Sequence, residues 1–359
     1  MNNVATIKPD NDNIYYNFSI FNKEENKDLP AEYREFRGEA LLDDPSQYKM
    51  TITRFSVPAF NIPILIPKIQ KFPNVDINKT IYTLYLTYNG ISSDKQTVQY
   101  VNFNSYPPPQ PPSGLHPEVE YSEYYFIYSI QHFVNMINNT LYNAFIDLAG
   151  RTTLPLNAAA PLLIFTPETQ LLSFNVHSSY SWNNVSPIFM TFNSPLAELI
   201  SGFSTRDNLV LDGYDYVIYQ NPKNIFTYST LTYIDYSQEY VTIGSWNVMK
   251  AIVFTSSNIP VFHEYLPNLS GSSTNNFNQI VTDFEPVLDI PNSTRSIYQY
   301  YPQGPYRLVD LVSEQPLFSL DIKIYWQDKS LNLYPLTIPP LQEATVKVLF
   351  IKKGKENSI

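Results

Sequence analysis

The hydrophobic and polar positions follow a helical pattern most clearly in residues 124–150, YYFIYSIQHFVNMINNTLYNAFIDLAG. Apolar residues recur there at intervals of three and four, the spacing that lines one face of an α-helix. Ser129 is in position to cap the start of this helix, and Gly150 is in position to end it in a left-handed conformation. The residues predicted to form the buried core of the helix are Ile130, Phe133, Ile137, Leu141 and Phe145.

Elsewhere the pattern changes to the alternation of period two that is typical of half-buried strands. Residues 79–90, KTIYTLYLTYNG, alternate well and end in Asn89-Gly90, a pair typical of a hairpin turn. Residues 161–176 consist of two apolar runs around Pro167-Glu168-Thr169-Gln170, which predicts a second hairpin. Similar runs at 49–60 and in the C-terminal half bring the prediction to roughly ten or more strands.

A second, short helix is predicted at residues 194–203, SPLAELISGF, with Ser194 as N-cap and Pro195 at the first helical position. No repeat of fixed period is visible, so propellers and solenoids are disfavoured. The strands before and after the two helices are interpreted as one β-sandwich. The helices and the hairpin between them form a sub-domain inserted into it, at roughly 104–206.

A proline-rich segment, SYPPPQPPSGLHPEVE, occupies residues 105–120. Consecutive prolines impose extended polyproline geometry and remove backbone hydrogen-bond donors, so a loop or arm is predicted rather than a strand. The segment is either a stiff connector into the helix or a ligand for a proline-recognising groove or a neighbouring subunit.

Composition supports the β-rich interpretation. Among 359 residues, 43% are hydrophobic and 15% aromatic, and 29 prolines outnumber 10 glycines. Aromatic residues favour half-buried pleated surfaces, and proline favours stiff loops. The chain has no cysteine, which excludes disulfides and cysteine-based metal or redox sites.

The net charge of −10 argues against a surface that neutralises nucleic-acid phosphates. The polar start, MNNVATIKPDNDN, lacks a signal-peptide core, and no window approaches the roughly 18 apolar residues of a membrane span. We therefore expect neither direct nucleic-acid binding nor a membrane span.

The sequence shows no recognisable catalytic or metal-binding motif. The four histidines, His116, His132, His177 and His263, are far apart and lack paired metal-ligand spacing. Asp283 and Glu285 form a carboxylate pair, but acidic loop residues more often solvate a surface or cap a helix than act in glycoside hydrolysis. No phosphate-binding glycine loop or nucleophile elbow is present. We expect no cofactor, no metal and no enzymatic activity.

Tyrosine-rich runs such as SIYQYYPQGPY are typical either of sandwich packing or of subunit interfaces. Sugar platforms and nucleotide-stacking surfaces are a weaker alternative for such runs. The candidates for interface anchors, each of which is otherwise an ordinary core residue, are Tyr298, Tyr300, Tyr301, Tyr306 and Trp326.

The order of elements resembles a known family. The resemblance lies in HFVNMINNTLYNAF at 132–145, LLIFTPETQLLSFNV at 162–176 and FMTFNSPLAELISGF at 189–203. This succession is similar to that of jelly-roll minor capsid proteins of tailless double-stranded DNA viruses. It resembles most the penton-like vertex proteins of polinton-like viruses, virophages and adenovirus relatives. The closing run ATVKVLFIKK at 344–353 looks like a late strand of a capsid jelly roll.

The resemblance implies a mainly β fold, a jelly-roll β-sandwich with an inserted helix-containing sub-domain. Residues 14–103 and 207–353 are expected to form the sandwich and residues 104–206 the insert. Residues 1–13 and 354–359 are expected to be a flexible arm and a flexible tail.

The implied function is that of a structural virion protein. A penton-like minor capsid protein self-associates, here expected as a five-fold ring, and closes icosahedral vertices by contacting the major capsid protein. A fibre or another minor capsid protein is a further candidate partner. The expected location is the capsid shell of a virion assembled inside the host cell.

One alternative of a different class stays open, a carbohydrate- or receptor-binding β-sandwich that acts as a spike or accessory module. Several glycosylation sequons would suit a displayed protein, although an asparagine-rich chain also produces them by chance. They include those that begin at Asn17, Asn78, Asn184, Asn268 and Asn292.

Overall fold

The computed structural model describes most of the chain in several stretches. The described residues are 13–62, 69–70, 81–100, 124–125, 127, 129–180, 185–208, 215–218, 224–228, 231–262, 264–265, 277–285, 297–300, 307–329 and 331–355. The proline-rich segment 105–120 lies outside them, as do 1–12 of the expected arm and 356–359 of the expected tail.

Short and long strands precede the first helix-containing region. These strands are β1 (Asn13–Phe21), β2 (Leu29–Pro30), β3 (Glu32–Phe36), β4 (Tyr48–Pro58) and β5 (Ile69–Gln70). A single 3₁₀ turn at Pro45–Gln47 leads into β4, and the side chain of Asp44 caps it by accepting a hydrogen bond from the amide of Ser46.

The middle of the chain contains both α-helices. Its elements are β6 (Thr83–Tyr88), β7 (Ile91–Ser92), β8 (Gln96–Thr97), β9 (Tyr124–Tyr125), α1 (Ile130–Arg151), β10 (Leu162–Thr166), β11 (Leu171–His177), β12 (Ile188–Asn193), α2 (Ser194–Leu199), β13 (Thr205–Asn208), β14 (Asp215–Ile218), β15 (Asn224–Tyr228) and β16 (Leu231–Ser237). Further 3₁₀ turns lie at Ser178–Tyr180 and Ile243–Trp246.

The last third of the chain returns to strands. They are β17 (Met249–Thr255), β18 (Glu264–Tyr265), β19 (Phe277–Asn278), β20 (Ile280–Phe284), β21 (Ile297–Tyr300), β22 (Val309–Asp310), β23 (Ser319–Asp328), β24 (Leu333–Pro335), β25 (Thr337–Ile338) and β26 (Glu343–Lys352).

Strands from the two ends of the chain form two antiparallel sheets. One sheet has the order β1-β26-β4-β21, and in the other β3 pairs with β23, which continues to β17 and β20. Counted along the chain, the eight main strands run 1-8-3-6 in one sheet and 2-7-4-5 in the other. This interleaving is the arrangement of a jelly roll, so the predicted fold class is confirmed.

The facing sides of these two sheets pack aromatic rings against each other. The ring of Phe55 on β4 lies 5.1 Å from that of Phe254 on β17, and Phe18 on β1 stacks on Tyr33 of β3 at 4.1 Å. Fully burying one such aliphatic or aromatic side chain stabilises the fold by about 1.5–3 kcal/mol. The jelly roll therefore has a core of its own, formed by residues 18–62 and 248–350.

A second core is built from residues 82–246. It lies between the sheet β13-β14-β12-β6-β7, the sheet β10-β11-β16-β15 and helix α1. Strand β6 was assigned to the jelly roll from sequence, but it pairs with β12, with Leu86 opposite Met190. The reason is that a hairpin pattern is local and does not specify the sheet that the hairpin joins. The second core thus extends beyond the expected limits 104–206.

Both predicted hairpins are confirmed. Asn89 and Gly90 have φ of 51° and 77° in the turn between β6 and β7, the left-handed pair that suits a two-residue hairpin. Strands β10 and β11 pair antiparallel, with Leu163 opposite Phe174, and Gln170 closes their turn at φ 57°.

Helix α1 differs from the prediction at its ends. It runs through Gly150 to Arg151, and Thr152 then turns to extended backbone while its amide donates to the carbonyl of Leu148 at 3.0 Å. Arg151 pairs with Asp147 one turn earlier at 3.0 Å, so side chains stabilise the last turn and no left-handed glycine is needed. Ser129 has the extended backbone of an N-cap but makes no capping hydrogen bond through its side chain.

Helix α2 begins one residue earlier than its predicted cap implies. Asn193, not Ser194, is the N-cap, because its side-chain oxygen accepts a hydrogen bond from the amide of Leu196 at 3.3 Å. The side-chain amide of Asn193 also donates a hydrogen bond to the carbonyl of Ile81 at 2.8 Å. Asn193 therefore links the end of β12 to the residues before β6 by a hydrogen bond while it caps the helix.

Asn138 of α1 completes the hydrogen bonding of strand β10. Its side chain donates to the carbonyl of Leu163 at 2.8 Å and accepts from the amide of the same residue at 2.7 Å. An edge strand exposes unpaired backbone groups, and here an asparagine amide takes the place of a neighbouring strand.

Among the described residues, no helix combines the length and apolar character needed to cross a bilayer.

Candidate assembly surfaces

The expected core of α1 lies in the second core. Phe133, Ile137 and Leu141 are fully buried, Phe145 is 7% exposed, and Ile130 is partly buried at the start of the helix. The ring of Phe133 lies 5.5 Å from Trp246 and 6.0 Å from Tyr82, both in T-shaped contacts. The helix is thus anchored to both ends of the inserted region.

The tyrosines of β21 face inward. Tyr300 stacks on Phe55 at 5.6 Å and lies 4.3 Å from Phe284, and Tyr298 packs against the same core. Because side chains alternate along a strand, the outward positions of β21 belong to Ile297 and Gln299.

The other three candidate anchors divide between core and undescribed positions. Trp326 is 2% exposed and stacks on Tyr334 at 4.3 Å, so it is a core residue of the jelly roll and offers no surface to a partner. Tyr301 and Tyr306 lie outside the described residues.

The outer face of the sheet β1-β26-β4-β21 carries a groove of about 590 Å³. It crosses all four strands at the end where β4 leaves the jelly roll, and Arg54, Ser56, Gln299 and Thr345 line its floor beside Glu343. Large apolar side chains surround this floor and are about half exposed: Phe21 at 47%, Phe60 at 53%, Ile297 at 51% and Leu341 at 63%. We call this surface the sheet groove.

Sequence reasoning missed the sheet groove because its residues come from four separate parts of the chain. The tyrosines of SIYQYYPQGPY were the candidates from sequence, whereas the exposed apolar residue of β21 is Ile297. The sequence did contain one indication of the exposed position. Side chains alternate between the two faces of a strand, so Tyr298 and Tyr300 must share one face and Ile297 must lie on the other.

The candidate chemical residues are engaged in structural contacts. His177 hydrogen-bonds Ser179 at 2.6 Å, and the ring of His132 packs edge-on against Tyr100 at 5.3 Å. Asp283 forms an exposed ion pair with Arg307. His116 and His263 lie outside the described residues, and within the described ranges no three His, Asp or Glu side chains group as metal ligands.

One buried carboxylate, Asp321, fixes the loop after β17. It accepts hydrogen bonds from the hydroxyl of Ser256 at 2.6 Å and from the backbone amides of Ser257 and Asn258, both at 2.9 Å. Burial opposes ionisation, but these hydrogen bonds together outweigh it and lower the pKa of Asp321. Asp321 is therefore a charged structural anchor of the jelly roll.

The pKa of Asp235, in β16, is shifted in the opposite direction. Burial raises its pKa, and hydrogen bonds from Ser173 and Ser237 offset this only in part. Its Oδ1 is buried without a hydrogen-bond donor among the described residues. In the folded insert, the ionised form of Asp235 is therefore less stable than it is in the unfolded chain.

The comparisons with known proteins agree with this architecture. The family described as Sputnik minor capsid protein V18/19 matches residues 14–352. Uncharacterized protein V18 of Sputnik virophage is 36% identical over 154 residues, covering 42% of this chain and 90% of that protein. Structural protein V19 of the same virophage is 30% identical over 182 residues, covering 50% of this chain and 80% of that protein.

Solved structures show the same fold along nearly the whole chain. A chain of the cryo-EM structure of Sputnik virophage has a TM-score of 0.77 at 30% identity and covers 95% of this chain and 98% of its own length. The crystal structure of mavirus penton protein has a TM-score of 0.66 at 14% identity, covering 94% and 99% respectively, and shows a likeness of fold. The resemblance found in the residues is confirmed: the chain belongs to the Sputnik minor capsid protein V18/19 family and is a structural protein of the virion.

Proposed function

We propose that this minor capsid protein assembles as a penton-like ring of five copies that closes an icosahedral vertex and contacts the major capsid protein around its rim. The fold shared with mavirus penton protein supports this assignment. A fibre or another minor capsid protein is a further partner in this proposal. The net charge of −10 supports contacts with protein rather than with the genome.

The observation that carries the proposal is the sheet groove. Phe21, Phe60, Ile297 and Leu341 are half exposed around one concave surface, although a monomer gains nothing from leaving them in water. Arg54 and Glu343 add opposite charges within the same surface, which orients a partner. A stable interface needs roughly 800 Å² from each partner, so the groove would form the centre of a larger contact.

The proposal includes the absence of catalysis. Asp283 is paired with Arg307, and the described histidines pack against or bond neighbouring side chains. A rigid sandwich with an exposed apolar groove performs its role by binding alone. Glycan hydrolysis by the purified protein, abolished by Glu264→Gln at the carboxylate that follows His263 in the sequence, would overturn this part.

We also propose that the chain divides at its two cores. Residues 18–62 and 248–350 would form the jelly-roll unit, and residues 82–246 would form the inserted unit. The arm before β1 would reach a neighbouring subunit, and removal of residues 1–12 would then weaken assembly without changing the stability of the monomer.

The test is the double substitution Phe21→Ser and Ile297→Ser. It removes two apolar side chains of the sheet groove that are 47% and 51% exposed, so the fold keeps its core. The matched control, Phe36→Ser with Val312→Ser, removes an aromatic and an aliphatic side chain that are 78% and 44% exposed outside the groove.

Light scattering measures the mass of each variant, and circular dichroism checks its fold. We expect the groove variant to be monomeric and folded while the control assembles like the unaltered protein. Normal assembly of the groove variant would contradict the proposed interface. Monomeric unaltered protein that binds a glycan would favour the carbohydrate-binding alternative.

A further inference from the structure

The exposed face of α1 carries no charge before the last turn of the helix. The helix has 22 residues, and its two charged side chains, Asp147 and Arg151, pair with each other at the C-terminal end. Its solvent-facing stripe includes Tyr142 at 55% exposure and Ile146 at 52%, one turn apart. The other exposed positions of the stripe are Gln131, Asn135, Asn139 and Asn143.

Such a stripe is unusual for a helix that faces water. Surface helices normally carry charged residues opposite their buried face, whereas interfaces are depleted of charge and enriched in aromatic residues. At about 1.5 Å per residue, the helix presents this neutral stripe from Gln131 to Ile146, over roughly 20 Å. The stripe has the composition of an interface rather than of a solvated surface.

The sheet beneath the helix has a second neutral surface on its far side. Leu84 and Leu86 of β6 and Met190 of β12 point into the core with α1, so the alternate residues of both strands point outward. Of those outward residues, Phe189 is 43% exposed, Thr83 and Thr87 are half-buried, and Thr191 is buried at 2% exposure. Strands β6, β7 and β12 contain no charged residue.

We propose that the neutral stripe of α1 is covered by a second copy of this chain, through the outer face of its β6 and β12. The charge of the chain favours a copy as the occupant of the stripe. Each copy carries a net charge of −10, and a contact between two uncharged surfaces avoids placing like charges opposite each other. A foreign basic partner would instead be recognised by an acidic patch.

The two surfaces lie on opposite sides of one helix-and-sheet layer, so a contact between them runs head to tail. Head-to-tail contacts join different surfaces of successive copies and give a ring where the rotation between copies closes, or an open filament where it does not, whereas a surface that meets itself produces a two-fold dimer. This inference rests on the proposed ring. It adds a contact between inserts that is separate from the sheet groove of the jelly roll.

Because the chain has no cysteine, a thiol-specific cross-linker reacts only with cysteines that are introduced by substitution. Ile146→Cys marks the helix stripe and Phe189→Cys marks the sheet surface, each alone and both in one chain. A bifunctional thiol reagent is then applied to protein whose mass is known from light scattering. The control combines Ile146→Cys with Tyr240→Cys, because Tyr240 is 58% exposed and lies outside both surfaces.

We expect the Ile146/Phe189 double variant to give a ladder of cross-linked species up to the full ring, and neither single variant nor the control to give dimers above background. Dimers from Ile146→Cys alone would show a helix-to-helix contact and overturn the proposal. A double variant that is oligomeric by light scattering yet gives no ladder would also overturn it, while leaving the ring intact. Unaltered protein that is monomeric would overturn the ring and this contact together.

A second measurement uses charge. Tyr142→Lys with Ile146→Lys places two charges on the stripe, and we expect ring formation to weaken by about tenfold or more. The matched control, Tyr240→Lys with Leu156→Lys, changes side chains that are 58% and 88% exposed elsewhere and should assemble normally. Equal assembly of the two folded variants would contradict the inference.

Discussion

The jelly roll and the inserted region bury their cores by different routes. In the jelly roll, β4 pairs with β26 and β1 pairs with the same strand, so its sheet joins residues near opposite ends of the chain. In the inserted region, hydrogen bonds between its own turns hold α1 together, and the helix packs against β6 and β10. The jelly roll therefore depends on long-range pairing, whereas the insert is built around one locally determined element.

The difference extends to the surfaces. The open groove of the jelly roll places Arg54 and Glu343 among apolar side chains, whereas the helix stripe of the insert has no charge. A groove with opposite charges fixes the orientation of a partner, and a neutral stripe allows close approach of equally charged copies. In the proposed assembly the two regions would therefore make different contacts.

The largest effect is expected from a cavity in the insert. Leu141→Ala removes a fully buried side chain at the centre of α1 and should lower the free energy of unfolding by about 2–5 kcal/mol. Urea denaturation measures the loss, and hydrogen exchange shows where it occurs. Faster exchange confined to residues 82–246 would show that the two cores open independently. Equally faster exchange in the jelly roll would show that they unfold together and would contradict the division. Leu156→Ala, at an 88% exposed leucine, is the control.

A polar substitution tests the jelly roll alone. Asp321→Asn leaves the amides of Ser257 and Asn258 with one acceptor fewer and should cost about 2–3 kcal/mol. The folded-state pKa is lowered, so this stabilisation is fully present above the unfolded pKa of about 3.9 and is lost as pH falls through the folded value. The difference in urea midpoint between the two proteins should therefore shrink in acid. A difference that stays constant with pH contradicts an ionised Asp321.

A smaller effect should follow when the helix no longer protects the edge of β10. Asn138→Ala removes both hydrogen bonds to the backbone of Leu163 and should destabilise the insert by about 1–2 kcal/mol. Thermal denaturation measures this loss, with the exposed Asn135→Ala as control. An unchanged midpoint would mean that water replaces the asparagine at no cost.

The smallest effect concerns Asp235. Its folded-state pKa is raised, so its contribution is most favourable below the unfolded pKa and is lost as pH rises through the folded value. Asp235→Asn should therefore raise stability at neutral pH, by less than about 1 kcal/mol, and make little difference near pH 4. Urea midpoints at both pH values check this. Lower stability of the variant at neutral pH would contradict the sign.

The sequence predicted the helix better than the strands for a physical reason. The neighbours of Leu141 at three and four residues lie on the same helix face, so its burial follows from local spacing. Strand β6 was recognised as a hairpin strand, but its partner β12 lies about a hundred residues away and no local pattern identifies it. Tyr298 and Ile297 illustrate a related limit of sequence patterns. Alternation assigns them to opposite faces of β21, but it does not indicate which face is buried.

The assembly surfaces were the hardest to predict. The sheet groove collects Phe21, Phe60, Ile297 and Leu341 from distant parts of the chain, and only the jelly-roll strand order brings them together. The neutral stripe of α1 was available in the sequence as the uncharged positions between the buried ones. The structure adds that strands β6, β7 and β12, in the sheet against which α1 packs, contain no charged residue either.

The central claim is that copies of this chain assemble with one another in the capsid. Its most direct test is the mass of the unaltered protein in solution over a range of concentrations, alone and with the major capsid protein, measured by light scattering. The account predicts a species of five copies of the 41.4 kDa chain. A monomer at every concentration, with and without the major capsid protein, would contradict it.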